Sequence, residues 1–186
     1  MQSFQDYFES LSSDVNIKGK TFERAIKWWL ESDPVWSSQL KHVWLWDKFP
    51  HKTGRDTGID LVAESISGDY WAIQCKAYSP DSQLKKADID SFLSASNRKL
   101  YSHRLLVTTT KGVGPNARET LSAQEKPVQI VDWIRLNDSA VDWSLVSQEK
   151  IQPFFIPRNL RPHQQQALDQ VVSGFKKSDR GQLIMA

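Results

Sequence analysis

Apolar residues recur at helical spacing in two stretches near the start of the chain. Ser3 and Asp6 form a capping signal before the first stretch, and Thr21 is a suitable cap for the second. Asp33 followed by Pro34 predicts where the second helix ends, because the residue before proline disfavours helical backbone. The two apolar stripes consist of Phe4, Tyr7, Phe8 and Leu11, and of Phe22, Ile26, Trp29 and Leu30.

Farther along, short apolar runs alternate with helical stripes. The pattern predicts a strand at His42–Trp46, a helix over about Leu84–Asn97, a buried strand at Arg104–Thr108, a turn at Gly112–Gly114, a helix from Pro115 and a strand at Val128–Val131. Together with the two amino-terminal helices, this order predicts an α/β fold with a mixed central β-sheet flanked by helices.

The centre of the predicted sheet is a β-hairpin. Its strands are Ile59–Ile66 and Tyr70–Ala77, which flank the turn signal Ser67-Gly68-Asp69. A three-residue loop over those turn residues makes Asp60 face Lys76 and Val62 face Gln74. Since side chains alternate along a strand, Asp60, Gln74 and Lys76 then share one face. The opposite, apolar face consists of Ile59, Leu61, Ala63, Trp71, Ile73 and Cys75.

The composition is that of a soluble globular protein. Of 186 residues, 25% are charged and 39% are hydrophobic, and the net charge of +2 says little about partners. The single cysteine excludes an intrachain disulfide framework and favours a reducing cytoplasm. No apolar run approaches the roughly 20 residues of a membrane span, and no signal peptide is visible.

The shared polar face of the hairpin fits phosphodiester hydrolysis. Magnesium prefers hard oxygen ligands, which the Asp60 carboxylate, the Gln74 amide and the backbone carbonyl of Cys75 can supply. Lys76 on the same face can orient a water or stabilise the charged transition state. In the loop just before Asp60, the basic residues Lys48, His51, Lys52 and Arg55 are candidate DNA phosphate contacts, or simply a solvated basic loop.

These residues also carry a family resemblance. The run from Gly54 through Asp56 and Gly58 to Asp60, followed by Gln74-x-Lys76, resembles the Mrr-like branch of the PD-(D/E)XK nucleases, in which glutamine replaces the acidic residue. The resemblance covers roughly residues 15–135 and implies a restriction-endonuclease-like fold. It also implies a glutamate on an upstream helix that completes the site, and Glu23 occupies that position here.

Each candidate has a plainer alternative. Asp60 and Lys76 are also compatible with an ordinary cross-strand ion pair, and Gln74 with a polar surface residue. Glu23 would fall in the first turn of its predicted helix, where the macrodipole favours any carboxylate. Glu64 lies on the Asp60 face and is a weaker candidate for a metal ligand.

The carboxyl-terminal stretch has a different character. We predict a nuclease domain over 1–150, a linker over 151–158 and a further element over 159–186. Pro162 suits a helix start, and one apolar face is formed by Leu168, Val171, Val172 and Phe175. The segment resembles the entrance to a superfamily 2 helicase motor, which implies adenine contacts at Arg161 and Gln164. The alternative is an amphipathic helix that packs on the nuclease domain.

Together, the two resemblances point to the single-polypeptide type ISP restriction-modification enzymes. They imply a Mg²⁺-dependent endonuclease acting on double-stranded DNA, and a longer polypeptide with helicase, methyltransferase and target-recognition regions. ATP would serve only the motor, whose phosphate loop lies beyond this sequence. Two alternatives remain open: a DNA-binding or docking module without catalysis, and a structure-selective nuclease that cleaves DNA junctions.

Overall fold

The computed structural model describes residues 1–52, 58–148 and 162–176. The chain forms two compact units, Met1–Phe154 and Phe155–Ala186. The described part of the second unit contains one helix, Pro162–Phe175, with Leu168, Val172 and Phe175 exposed. Among the described residues, no helix is both long enough and apolar enough to cross a membrane.

The helices and strands of the first unit follow one another in mixed order. The helices are α1 (Phe4–Glu9), α2 (Val15–Ser32), α3 (Pro34–Ser37), α4 (Asp90–Ser96), α5 (Pro115–Ser122) and α6 (Trp133–Asn137), and the helix of the second unit is α7 (Pro162–Phe175). The strands are β1 (Leu40–Leu45), β2 (Leu61–Ser65), β3 (Tyr70–Lys76), β4 (Gln83–Leu84), β5 (Tyr101–Thr108), β6 (Gly112–Val113) and β7 (Gln129–Val131). Short 3₁₀ helices lie at Trp46–Lys48, Lys86–Asp88 and Trp143–Gln148.

A five-stranded mixed sheet has the order β1-β2-β3-β5-β7. The pairs β1–β2 and β2–β3 are antiparallel, whereas β3–β5 and β5–β7 are parallel. A second, two-stranded parallel sheet pairs β4 with β6. The predicted α/β architecture with a mixed central sheet is therefore confirmed.

Both faces of the central sheet are buried. Leu105 and Val107 belong to one hydrophobic cluster, which includes the apolar residues of α1 and α2, and Leu106 belongs to a second cluster with those of α4 and α5. All three side chains are fully buried. Burial of each contributes on the order of 1.5–3 kcal/mol, so the middle of β5 anchors both layers.

Helix α2 begins earlier than its sequence pattern predicts. Asp14 caps it, accepting hydrogen bonds from Asn16 N (2.9 Å) and Ile17 N (3.0 Å). Thr21 is not a cap; its hydroxyl lies inside the helix and donates to the Ile17 carbonyl at 2.8 Å. The predicted end is confirmed, because α2 stops at Ser32, immediately before Asp33.

The predicted helix over Leu84–Asn97 is shorter in the structure. Its first residue, Leu84, belongs to β4 and pairs with Val113, and Lys86–Asp88 form a 3₁₀ turn before α4 begins at Asp90. The predicted turn at Gly112–Gly114 is mostly β6. Leu84 is fully buried, and its carbonyl accepts a 2.9 Å hydrogen bond from Gly114 N. Tertiary pairing has therefore overridden the helical spacing at this point.

The β2–β3 hairpin has a different register from the predicted one. Val62 faces Ala72 and Glu64 faces Tyr70, so the pairing is displaced by two residues. The reason is the turn: Ser65 N donates to the Asp69 carbonyl at 2.8 Å, which closes the loop one residue earlier on both strands. Because the displacement is even, the side chains of the paired strands keep their predicted faces. Ile59 does not: it precedes β2 and packs in the second cluster with Val62 and Ala72, not with Leu61 and Ile73, because the regular alternation begins only at Leu61.

Candidate active site

Asp60 lies at the open end of the hairpin, just before β2. Its backbone N–H donates to the Ile73 carbonyl at 2.9 Å, and its carbonyl accepts from Trp46 N at 2.8 Å. Its carboxylate oxygen Oδ2 accepts a 2.7 Å hydrogen bond from the backbone N–H of Cys75. The side chain is thus held against the backbone of Cys75, which lies between Gln74 and Lys76.

Gly58 fixes the approach to Asp60. Its φ of +96° lies in the left-handed region, which favours glycine. A Cβ atom at this position would lie 2.7 Å from Ser91 Oγ and 2.9 Å from Phe92 N. The backbone therefore passes directly against α4, and only glycine fits this contact without movement of the helix.

Gln74 is directed into the protein. Only 2% of it is exposed, so the interpretation as a surface residue is wrong. Its Oε1 atom has no hydrogen-bond partner among the described residues. A buried acceptor without a partner costs about 1–3 kcal/mol, which a bound ligand would offset. The regular β2–β3 pairing ends at Leu61 and Ile73, and the Asp60 N–H bonds the same Ile73, so the ladder does not extend to a pair of Asp60 with Gln74.

The pKa of the Cys75 thiol is affected by charged side chains near the open end of the hairpin. Burial raises its pKa well above the usual value, the carboxylates of Asp60 and Glu23 raise this pKa further, and the Lys76 ammonium lowers it. The backbone of Cys75 bonds Asp60, while its side chain packs at the margin of the first hydrophobic cluster. The charges of the two acids and of the lysine therefore all influence this residue.

Glu23 lies in the interior of α2, since that helix spans Val15–Ser32. The explanation of Glu23 as a first-turn carboxylate is therefore wrong, because the macrodipole acts within the first and last turns. Its charge acts instead on Cys75, at the centre of the candidate site.

The other candidates are not part of this cluster. Glu64 forms a 3.7 Å ion pair with Lys41, and four residues of strand separate it from Asp60 by about 13 Å. Lys48 is exposed and pairs with Asp47 at 3.5 Å. Lys52 is also exposed, and both lysines belong to the loop whose Trp46 bonds Asp60.

Some candidates lie outside the described residues. These are Arg55, with the Gly54 and Asp56 of the motif, and also the 151–158 linker, Arg161 and Gly181–Ala186. Gln164 is described and lies exposed on α7.

The sequence interpretation overlooked three threonine hydroxyls at the carboxyl end of the buried strand β5, whose last residue is Thr108. Thr108, Thr109 and Thr110 are fully buried, and Thr108 pairs with Lys76 across the parallel strands. The sequence signal was the three consecutive threonines directly after an apolar run. Because β3 and β5 are parallel, their carboxyl ends lie at the same edge of the sheet, which brings these threonines close to Lys76.

The donor set suits a hard divalent cation. Among the described residues, no group of three or more histidine, cysteine or acidic side chains could hold a metal. A carboxylate, an amide oxygen and a backbone carbonyl are nevertheless present at Asp60, Gln74 and Cys75, and all are oxygen ligands of the magnesium type. The buried Oε1 of Gln74 is the atom that makes this set fit, because no other residue that the structure describes bonds it.

Comparison with known proteins identifies the family. The model of a restriction endonuclease family, Mrr_cat_2, matches residues 31–152, which include Asp60, Gln74 and Lys76. The chain belongs to this restriction endonuclease family. Its class of activity is accordingly that of an endodeoxyribonuclease, and the matched region spans the hairpin and the parallel strands beside it.

The restriction endonuclease fold also has a counterpart among solved structures. The chain is similar to one described as "ATP-dependent Type ISP restriction-modification enzyme LlaBIII bound to DNA", with 32% sequence identity and a TM-score of 0.70. The match covers 100% of this chain and 12% of that one, so this chain spans about an eighth of that protein. No curated protein matches the chain.

Proposed function

We propose that the first unit is a Mg²⁺-dependent endonuclease that cuts double-stranded DNA without sequence preference of its own. The observation that carries this proposal is the buried Gln74 Oε1, which has no partner among the described residues. It accompanies a carboxylate, that of Asp60, which is fixed on the Cys75 N–H at 2.7 Å. An acid and an unpaired amide oxygen at one strand end match the needs of a hard cation.

Each residue has a distinct role in this proposal. Asp60, Gln74 and the Cys75 carbonyl would hold the cation. A bound Mg²⁺ would supply the acidity that activates a water and would offset charge on the phosphate. Lys76 orients the attacking water and donates to the phosphate oxygens as they gain charge. Glu23 completes the acidic side of the site.

DNA would be held through its phosphates. Lys48, Lys52 and Arg55 belong to the loop that leads into Asp60, and the Trp46–Asp60 hydrogen bond of 2.8 Å ties the start of that loop to the site. Phosphate contacts position a duplex without reading its sequence. The positions at which this unit cleaves should therefore depend on which DNA it can reach and not on the base sequence.

The likeness to LlaBIII suggests a larger context. We propose that residues 1–150 form the nuclease domain, 151–158 a linker, and 159–186 the start of a helicase motor in a longer cytoplasmic polypeptide. In that setting Arg161 and Gln164 would contact the adenine of ATP. Methyltransferase and target-recognition regions of the same polypeptide would select the DNA.

The test is nicking of supercoiled plasmid by the 186-residue chain with and without Mg²⁺. We expect nicking by the native chain and by Asp69→Asn, a control at the other end of the hairpin. We expect Asp60→Asn and Lys76→Ala to lower nicking by at least about 10²-fold. Equal nicking by all four proteins would remove the proposed site.

A second measurement does not depend on turnover. Binding of Mn²⁺, followed by the loss of its free-ion electron paramagnetic resonance signal, should be weakened by Asp60→Asn and by Gln74→Met. Asp69→Asn should bind as the native chain does. Unchanged binding in Asp60→Asn and Gln74→Met would contradict the proposed ligand set even if the DNA is cut.

A further inference from the structure

Thr109 bonds the backbone that carries Lys76. Its N–H donates to the Lys76 carbonyl at 3.0 Å, and its hydroxyl donates to the Tyr78 carbonyl at 2.6 Å. The hydroxyl also lies 3.4 Å from the Lys76 carbonyl. One residue thus bonds both ends of the Lys76–Tyr78 segment, and it is fully buried while doing so.

This segment lies where the regular sheet stops. Strand β3 ends at Lys76, and its ladder with β5 ends at the pair Lys76–Thr108. Beyond that pair the Thr109 bonds continue the attachment to β5. The 2.6 Å separation is at the short end for hydroxyl hydrogen bonds, so the contact restrains the chain tightly.

We propose that Thr109 is a positioning residue for Lys76: its hydroxyl fixes the backbone exit of β3 and so sets where the ammonium lies. The inference rests on the proposed function of Lys76. Displacement of a reacting group by about 1 Å can cost on the order of 10²-fold in rate, so a restraint at this point has a measurable consequence.

Two neighbouring threonines provide a matched comparison. Thr108 and Thr110 are as fully buried as Thr109, but their hydroxyls lie 3.1 Å from each other, and that of Thr110 donates to the Gly112 carbonyl at 3.0 Å. The Thr110 hydroxyl thus serves the β5–β6 connection rather than the exit of β3. Thr110→Val removes a buried hydroxyl of the same kind without loosening Lys76.

The test compares Thr109→Val, Thr109→Ser and Thr110→Val by single-turnover nicking, DNA affinity and thermal unfolding. We expect Thr109→Val to lower the nicking rate constant by about 10- to 100-fold with unchanged DNA affinity. Thr109→Ser keeps the hydroxyl and should restore the rate. Thr110→Val should lose stability but keep the rate. A rate that falls in proportion to stability in both valine variants would overturn the proposal, as would a native rate in Thr109→Val.

A readout on Lys76 itself separates this inference from the proposed function. Lysines carrying isotope-labelled methyl groups give resolved nuclear magnetic resonance signals, and Lys76→Arg assigns the relevant one. We expect that signal to shift or broaden in Thr109→Val and to return in Thr109→Ser. A native chain that does not nick would reject the proposed function, while an unchanged Lys76 signal in Thr109→Val would reject the positioning role alone.

Discussion

Both ends of the β2–β3 hairpin carry polar groups, but the hydrogen bonding of those groups differs between the two ends. At the turn, Ser67 Oγ donates to Asp69 Oδ2 at 2.8 Å, and Ser102 Oγ donates to Asp69 Oδ1 at 3.2 Å. Ser65 Oγ accepts from Asp69 N at 3.0 Å. At the open end, Gln74 is buried with an oxygen that has no partner among the described residues.

The difference supports the proposal that the open end binds a ligand. Polar groups that satisfy one another need nothing further, and the turn is complete as a structural element. A buried acceptor left unpaired costs stability, and a bound ion is one explanation for such an atom. In the proposed function, Ser65–Asp69 is therefore the structural end of the hairpin, and Asp60 and Gln74 form the binding end.

The largest expected effect comes from removing one lysine side chain near each end of the hairpin. Lys76→Ala should lower Mg²⁺-dependent nicking by roughly 10²- to 10³-fold, because it removes a donor to the developing charge. Lys41→Ala removes the lysine that pairs with Glu64 at 3.7 Å near the turn, and should leave the rate unchanged. Similar losses in the two variants, measured by single-turnover nicking, would erase the contrast between the ends.

The second effect concerns the two glycines with positive φ. Gly58 has φ +96° and Gly68 has φ +90°, but a Cβ would meet Ser91 and Phe92 at Gly58 and nothing within 4 Å at Gly68. Gly68→Ala should cost about 1–2 kcal/mol from backbone strain alone. Gly58→Ala adds about 1–3 kcal/mol of overpacking and should also impair nicking.

Denaturant unfolding and plasmid nicking of the two alanine variants measure this contrast. Equal losses of stability would mean that the approach of Gly58 to α4 is not a tight contact. A fully active Gly58→Ala protein would show that this approach does not determine where Asp60 lies.

The third effect is a change in stability, which is expected to have opposite signs at the two ends of the hairpin. Gln74→Met removes an unpaired buried oxygen, so it should leave stability unchanged or raise it by about 1–3 kcal/mol, while Mn²⁺ binding is lost. Ser65→Ala removes a group that has partners and should destabilise by about 1 kcal/mol without affecting metal binding. Calorimetry measures the stabilities. A strongly destabilised Gln74→Met protein would mean that the amide already has a structural partner.

The smallest effect is a pH dependence at the turn. Hydrogen bonds from Ser67 and Ser102 lower the pKa of Asp69, and the positive charge of His103 adds to this. A lowered folded-state pKa gives stability that is present above the unfolded value of about 3.9 and is lost as pH falls through the folded value.

Asp69→Asn should therefore reduce the free energy of unfolding at neutral pH, and the difference from the native chain should shrink below about pH 4. Ser67→Ala should diminish the same pH dependence, since it removes the largest cause of the lowered pKa. Denaturant titrations across that range measure both. A difference that does not change with pH would contradict the role of these hydrogen bonds.

The fold and the faces of the paired hairpin residues could be predicted from sequence because periodicity determines them. The apolar run Leu105–Val107 and the alternation from Leu61 onward needed no tertiary information, but the face of Ile59 was predicted wrongly because alternation does not extend before β2. The register itself could not be predicted, because it depends on the Ser65–Asp69 bond that closes the turn. The start of α2 was also missed, since Asp14 precedes exposed Val15 and Ile17 rather than an apolar stripe.

The residues of the candidate site could be proposed from their sequence motif, but their burial and contacts could not. The spacing of the motif was enough to select Asp60, Gln74 and Lys76 as candidates. The burial of Gln74 could not be predicted, because it depends on what packs over the sheet and not on the alternation within one hairpin. The contacts of Gly58 with Ser91 and of Thr109 with Tyr78 join residues 33 and 31 positions apart and depend on tertiary structure.

The central claim is that the open end of the hairpin holds a divalent cation between Asp60 and Gln74. The direct test is anomalous diffraction from crystals of the chain soaked in Mn²⁺. We expect one strong peak about 2 Å from an Asp60 carboxylate oxygen, Gln74 Oε1 and the Cys75 carbonyl oxygen. A well-occupied peak elsewhere, or no peak at this position at saturating Mn²⁺, would contradict the account.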